Sequence, residues 1–353
     1  MLHYVFPALF AFVLTVLLTL GALKLFPLAG LMDRPQKYGL KRKPIPYYGG
    51  TVIFTVFFIS VLLFVDLDSH LLALLFASLL IVGVSFLDDM IGLSPLLRLC
   101  VQLIAALILV LGGIGIHSFS HPLGGVFTLD RWLFSFDFNG VVSSFFLLSA
   151  LFTVFWVMSM MNALNWLDGL NGLPSGVSAI ASLTLFFLSV RPDIHFDLSS
   201  QIPVATMSII VFACCLGFWS FDFYPAKILM GDTGSMFLGF ILATLAIFSG
   251  GKVATALLVL GFPLLDFAWV IFRRILEGKS PLQGDKKHLH HRLIEIGWSD
   301  RRALLLIYSL CATFGGIAIF LVGRQKLYAL VIMLLLMVIL GGFAVYRSRK
   351  KIH

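Results

Sequence analysis

Apolar runs long enough to cross a bilayer recur along the whole chain, and that recurrence limits the folds open to it more than any other feature. Eleven runs, at 4–26, 48–65, 71–87, 99–116, 141–161, 173–190, 202–221, 235–249, 253–271, 303–322 and 327–346, approach the roughly 20 residues that span the hydrocarbon core as a helix. A transmembrane barrel would instead show short strands of alternating polarity. The expected fold is therefore all-α: a polytopic membrane helix bundle of about eleven transmembrane helices, or ten, forming one domain over residues 1–353. Composition agrees, with 60% hydrophobic and 12% charged residues against roughly 25% charged in soluble domains. The runs at 71–87 and 235–249 are short, so they require local thinning of the bilayer or helix ends seated in a polar protein interior. The first run has no basic segment before it and no small-residue cleavage site, and its lysine, Lys24, stands at its far end rather than ahead of it, which reads as a retained span. The four cysteines, Cys100, Cys214, Cys215 and Cys311, lie in apolar runs without CxxC spacing and read as small buried hydrophobes.

Lysine and arginine orient the bundle. With the N-terminus outside and the C-terminus cytoplasmic, twenty of the 25 basic residues fall on the inner side, and Arg131, Arg191, Lys252, Arg324 and Lys326 remain outside. The same asymmetry accounts for the net charge of +8 through topology and attraction to anionic membrane lipid, with no need of nucleic acid.

In this topology the polar motifs collect on the inner side. They are "FLDDM" with Asp88 and Asp89, "NALNWLDGLNG" with Asn165, Asp168 and Asn171, "MGDTGS" with Asp232, and "GDKKHLHHRL" with Asp285, His288, His290, His291 and Arg292. Taken singly, each has an ordinary structural reading. Adjacent acids at a helix end are often solvated, yet they repel one another and sit badly against the helix dipole, so a shared proton or a cation is implied. An Asp or Asn near a glycine turn caps a helix start. "GDTGS" lacks the lysine and spacing of a P-loop but suits backbone N–H groups and a hard oxygen ligand near phosphate. A helical HxHH places at most two histidines on one face, which speaks against zinc; with Arg292, Lys286 and Lys287 they suit phosphate, or form a basic loop on anionic lipid. Together, carboxylates, amides and a basic cluster on one side point to phosphoryl transfer at a membrane surface. A transporter would carry acids near the bilayer midplane; Asp266 is the one carboxylate set within a run, and it is expected low in the cleft or paired with Arg273.

"KPIPYYGG", "FLDDM", "NALNWLDGLNGL", "PAKILMGDTGS" and "PLLDFAWVIFRRILEGKSPLQGDKKHLHHRL", in this order over residues 24–302, resemble the polyprenyl-phosphate N-acetylhexosamine-1-phosphate transferases of glycosyltransferase family 4. The form H-L-H-H-R is similar to the bacterial GlcNAc-1-phosphate branch. The peptidoglycan branch, which transfers phospho-MurNAc-pentapeptide, has three consecutive histidines there and ranks second. The resemblance implies that a UDP-N-acetylhexosamine and undecaprenyl phosphate react to give the sugar-diphospholipid and UMP, with Mg²⁺ or Mn²⁺, at the cytoplasmic face of the bacterial inner membrane. It also implies Asp232 as metal ligand, catalytic roles for Asp88, Asp89 and His290, with Asp88 the candidate base, and substrate binding by Lys43, Asn165, Asp168, Asn171, Asp222, Leu229, His288, His291 and Arg292. A phosphate monoester is largely dianionic at neutral pH, so orientation rather than deprotonation is the main demand. Family members commonly form homodimers, and no interface is marked in the sequence.

Three positions depart from the family pattern. Asn171 stands where an acid is usual, Asp222 where an amide is usual, and Leu229 where an aromatic often stacks on uracil. Lys43, Asn171 and Asp222 correspond to the uracil pocket, so the acid and the amide are expected to have exchanged loops with the donor and acceptor count preserved. Asn171→Asp combined with Asp222→Asn should restore the activity that either change alone removes, whereas strictly additive losses in that double-mutant cycle would exclude the exchange.

Overall fold

The apolar runs fold as helices because backbone groups in lipid must be satisfied within the segment itself. The computed structural model describes residues 2–38, 42–120, 125–138, 141–192, 199–249, 253–280, 288–321 and 323–352. Among them are α1 (Leu2–Leu28), α2 (Gly50–Phe64), α3 (Ser69–Ile91), α4 (Pro95–Leu111), α5 (Leu147–Leu167), α6 (Leu173–Ser189) and α7 (Ile202–Asp222). They continue as α8 (Gly231–Phe248), α9 (Val253–Val259), α10 (Gly261–Leu276), α11 (Leu289–Glu295), α12 (Asp300–Phe320) and α13 (Arg324–Ile352). Seven helices, α1, α3, α5, α7, α8, α12 and α13, are long and apolar enough to cross a membrane, and α2, α4 and α6 are shorter apolar helices. The all-α membrane bundle is thus as expected.

Two runs differ from their expected form. Residues 141–146 are not the start of a span: Val141–Phe146 (β4) pairs antiparallel with Leu133–Phe138 (β3), Phe138 opposite Val141 and Leu133 opposite Phe146. "VVSSFF" is apolar, but its β-branched and aromatic content suits a strand, so α5 begins later and carries "MNALNWL" in its last turns. A smaller hairpin, Ser118–Ser120 (β1) with Val126–Thr128 (β2), precedes it. The run 253–271 breaks at Leu260 into α9 and α10. Both short runs belong to longer helices, α3 with 23 residues and α8 with 18. Their polar ends, at Asp88 and Asp89 and at Asp232, are engaged by protein groups. Cys214, Cys215 and Cys311 are buried, whereas Cys100 is exposed on α4.

Helix α8 is the central post, with Phe237, Phe240, Ile241 and Leu242 fully buried and α2, α3 and α5 packed around it. Its start is fastened to the segment before α2 by backbone hydrogen bonds: Leu229 N–H to Pro46 O (2.9 Å), Gly49 N–H to Leu229 O (2.9 Å) and Gly50 N–H to Met230 O (2.8 Å). Helices α2 and α8 cross at Gly50 and Gly234, where a Cβ on Gly50 would fall on the Gly234 backbone and one on Gly234 would lie 2.7 Å from Gly50 Cα. The glycines of "YYGG" and "GDTGS" therefore let two helices touch backbone to backbone.

Gly50→Ala is expected to lower stability by about 1–3 kcal/mol, the usual cost of overpacking a tight interface, and to lower the melting temperature in detergent. Gly83→Ala, on an exposed face of α3 with no atom within 4 Å of the new methyl, should not lower it. Equal behaviour of the two variants would show that the crossing is not tight.

Candidate active site

Three helix junctions meet at the end of the bundle away from the hairpins: α3 with α4, α5 with α6, and α7 with α8. The start of α8 has no capping side chain of its own, and Asp89, in the last turn of α3, supplies one from another helix. Its Oδ1 accepts from the Asp232 N–H (3.0 Å), and its Oδ2 from the Thr233 N–H (3.0 Å) and the Thr233 hydroxyl (2.6 Å). The Tyr47 hydroxyl donates to Oδ1 (3.1 Å). A carboxylate at a helix N-terminus satisfies orphan donors and is favoured by the dipole. Gly231 makes the approach feasible: its φ is +76°, and a Cβ there would stand 2.9 Å from Asp89 Oδ2. Burial and the nearby Asp89, Asp232 and Asp168 push the Tyr47 phenol up, which keeps it a donor.

Asp88 turns elsewhere. Its Oδ1 accepts from the Leu93 N–H (2.6 Å) and its Oδ2 from Arg98 Nη1 (3.2 Å). The same nitrogen donates to Asp232 Oδ2 (3.3 Å), while Asp232 Oδ1 accepts from Asn165 Nδ2 (2.9 Å), which also reaches the Ser235 hydroxyl (3.1 Å). The adjacent acids therefore face different partners. The acid pair that a cation joins is Asp88 with Asp232, 144 positions apart in the chain, and the cation is Arg98.

The glycine turn between α5 and α6 lies beside this cluster. Asp168 is the residue after α5, half-buried, and no protein donor reaches its carboxylate among the described residues. Burial first, then Asp222, Asp232 and Asp89, raise its carboxyl well above the ordinary range. Asp222, buried at the end of α7, accepts from the Ser175 hydroxyl (2.8 Å) in the first turn of α6. Asn171 is half-buried in the turn, next to Gly172, where a Cβ would lie 3.2 Å from Phe223 Cα. The two loops of the expected exchange are thus neighbours.

The histidines form the opposite wall. His288 precedes α11 with extended backbone (φ −64°, ψ 153°), so its ring folds back and all three rings gather, where a continuous helix would hold two. His290 and His291 have centroids 4.2 Å apart, and His288 lies 5.6 Å from His290. His288 Nδ1 is 2.8 Å from Asp266 Oδ2, and Asp266 Oδ1 accepts from the Leu289 N–H (2.9 Å). Asp266 therefore pairs with His288 and not with Arg273, which faces Glu277 (3.8 Å). A Cβ on Gly169 would lie 3.0 Å from Nε2 of both His290 and His291, so the glycine of "DGLNG" lets the two motifs meet. His290 is fully buried with neither ring nitrogen bonded among the described residues. Burial, then His291 and His288, lower its pKa well below the ordinary value.

Lys43 is exposed on the segment leading to α2, and its carbonyl accepts from Arg42 (3.1 Å). Leu229 is half-buried and acts through its backbone. Arg292 is half-buried on α11. Asp285, Lys286 and Lys287 lie outside the described residues. Arg98 and Tyr47 were not singled out by sequence reasoning; the available signal was a basic residue one turn into the helix that follows "DDMIGLS", otherwise counted as a topology charge.

No group of three or more His, Cys, Asp or Glu side chains suited to a metal occurs among the described residues. Two carboxylates, Asp88 and Asp232, converge on one cation, and Mg²⁺ is commonly held by one or two carboxylates with substrate phosphates and water completing the shell. The donor set fits such an ion, the guanidinium marking where positive charge is accepted.

The family model for glycosyl transferase family 4 matches residues 71–250. The chain is 30% identical over 317 residues to a probable undecaprenyl-phosphate N-acetylglucosaminyl 1-phosphate transferase of Bacillus subtilis, covering 88% of this chain and 82% of the relative. It is 34% identical to a decaprenyl-phosphate N-acetylglucosaminephosphotransferase of Mycobacterium leprae (78% and 72% covered). It is 33% identical to an undecaprenyl-phosphate alpha-N-acetylglucosaminyl 1-phosphate transferase of Haemophilus influenzae (81% and 79%).

The lowered His290 pKa sets a pH dependence. The unfolded chain takes up this proton near pH 6.5 and the folded one does not, so the contribution of His290 to stability is present above that value and lost as pH falls below it. The melting temperature of the wild type relative to His290→Gln should fall between pH 7.5 and 5.5; a pH-independent difference would mean that His290 is charged or solvated in the fold.

Proposed function

Because the chain belongs to glycosyl transferase family 4, we propose that it moves N-acetylglucosamine 1-phosphate from UDP-GlcNAc to undecaprenyl phosphate in the bacterial cytoplasmic membrane, releasing UMP at the inner face. The observation that carries this reading is the convergence of Asp88, Asp232 and Arg98 beside the 165–172 turn and the histidine wall. A reaction between two phosphate-bearing substrates needs opposed charges at a membrane edge, and this arrangement offers them.

In the step proposed, an oxygen of the lipid phosphate attacks the β-phosphorus of the donor. The bond from that phosphorus to the bridging oxygen breaks, and UMP leaves with the electron pair. Asp88 and Asp232 would hold a divalent cation, which when bound supplies charge neutralisation to the diphosphate. Asp89 holds the start of α8 in place through the Asp232 and Thr233 N–H groups, so it positions Asp232. Asn165 fixes the other Asp232 oxygen. His290, kept neutral by burial, has an N–H to donate without a competing protein partner among the described residues. His288 is oriented by Asp266 in the manner of a carboxylate-supported imidazole. The Asp168, Asn171 and Asp222 loops are assigned to the nucleoside. Asp266 is engaged by His288 and the Leu289 N–H, which leaves a transport route without its midspan acid, and the relatives' names favour the GlcNAc reading over the phospho-MurNAc-pentapeptide one.

Purified protein in detergent, given UDP-GlcNAc, undecaprenyl phosphate and Mg²⁺, should release UMP only when all three are present. Asp232→Asn should reduce the rate by roughly two to three orders of magnitude, as loss of a charge-stabilising group in a buried site does. UMP release that survives Asp232→Asn at the wild-type rate, or that ignores the lipid, would contradict the assignment.

A further inference from the structure

Arg98 is the unassigned charge at the centre of the cluster. One guanidinium nitrogen contacts both Asp88 Oδ2 and Asp232 Oδ2, and its remaining N–H groups have no partner among the described residues. Two carboxylates that meet at one point repel unless a cation stands between them, and in this arrangement Arg98 is that cation. The side chain is one-third exposed, so its unused donors have room for an anion. A small recess between α3, α4 and α8 is lined by the apolar Ile81, Val84, Val101 and Met236 together with Ser85 and Gln102, and Asp88 and Arg98 complete its wall. Asn165 joins the nucleoside loops to Asp232, Ser175 joins them to α6, and the histidines lie against Gly169; the recess meets α5 through Gln102, which accepts from Asn162 Nδ2 (2.7 Å). Guanidinium is suited to a phosphate by its planar, multiple donors.

We propose that Arg98 binds the phosphate of the lipid acceptor, and that without substrates it stands between Asp88 and Asp232 in the place a divalent cation takes. Arrival of the lipid phosphate then draws the guanidinium off the two carboxylates and frees them for the metal, so acceptor and metal bind cooperatively. This rests on the transferase reading above and deepens it by assigning the acceptor's headgroup.

The test is Mn²⁺ binding followed by the electron paramagnetic resonance signal of the free ion, without turnover. Arg98→Gln should bind Mn²⁺ roughly tenfold more tightly than wild type, because a competing cation next to the ligands is gone. A short-chain polyprenyl phosphate should tighten Mn²⁺ binding in the wild-type protein beyond what it does in Arg98→Gln. In steady-state turnover, Arg98→Gln should raise KM for the lipid phosphate roughly tenfold to a hundredfold, the loss of a charge-assisted hydrogen bond, with KM for UDP-GlcNAc within about twofold; Arg98→Lys should fall between. Unchanged or weaker Mn²⁺ binding in a variant that melts like wild type overturns the stand-in role. A KM increase confined to the UDP-sugar overturns the acceptor assignment. If Arg98→Gln does not fold, wild-type Mn²⁺ affinity indifferent to the polyprenyl phosphate overturns the proposal by itself. Absence of UMP from the wild type would count against the transferase reading, while the Mn²⁺ competition is decided independently of it.

Discussion

The contact between Asp89 and the first turn of α8 is the interaction on which the rest depends. It joins the end of one membrane helix to the start of another through two backbone N–H groups and a hydroxyl, with Tyr47 completing the carboxylate's shell. In an apolar surrounding the open N–H groups of a helix start must find acceptors, and α8 has none on its own capping residue. Supplying them from α3 fixes the register between the two helices. Asp232 is itself one of the capped residues, so the same contact brings its carboxylate to Arg98 and, through Arg98, to Asp88.

From that point the site grows outward by hydrogen bonds between motifs. Asp232 is tied to Asn165, so the α5–α6 turn follows α8. That turn is fastened to α7 through Asp222 and Ser175 and to α12 through the Tyr308 hydroxyl, which donates to Gly172 O. Gly169 admits the histidine wall, and Asp266 holds that wall to α10. Three acids, Asp168 and the Arg98-bridged Asp88 and Asp232, are left with electrostatic demand that substrates and a cation can satisfy. Clustered charged groups are costly in an apolar protein, and placing them at helix ends, where backbone groups are already polar, limits that cost.

Much of this was legible in the sequence, because polar residues are conspicuous in an apolar chain. The spans followed from hydropathy, and the motifs carrying Asp88, Asp89, Asn165, Asp168, Asp232 and the histidines do come together. Hydropathy does not separate strand from helix, so residues 141–146 were assigned to a span where β-branched and aromatic residues make a hairpin. Nor does it register a break such as Leu260. Proximity between motifs was invisible too. Arg98 lies 134 positions from Asp232, and Asp266 lies 22 from His288; neither pairing has a local signature. The adjacency of Asp88 and Asp89 suggested a shared role, whereas successive residues on a helix point in different directions, one toward α8 and the other toward α4.

The central claim is that this site transfers a phosphosugar and not a sugar. Donor labelled in the β-phosphate of UDP-GlcNAc distinguishes the two directly, since the label follows whichever bond breaks. The account predicts labelled lipid and unlabelled UMP. Label retained in a released nucleoside diphosphate, with unphosphorylated sugar added to the lipid, would contradict it.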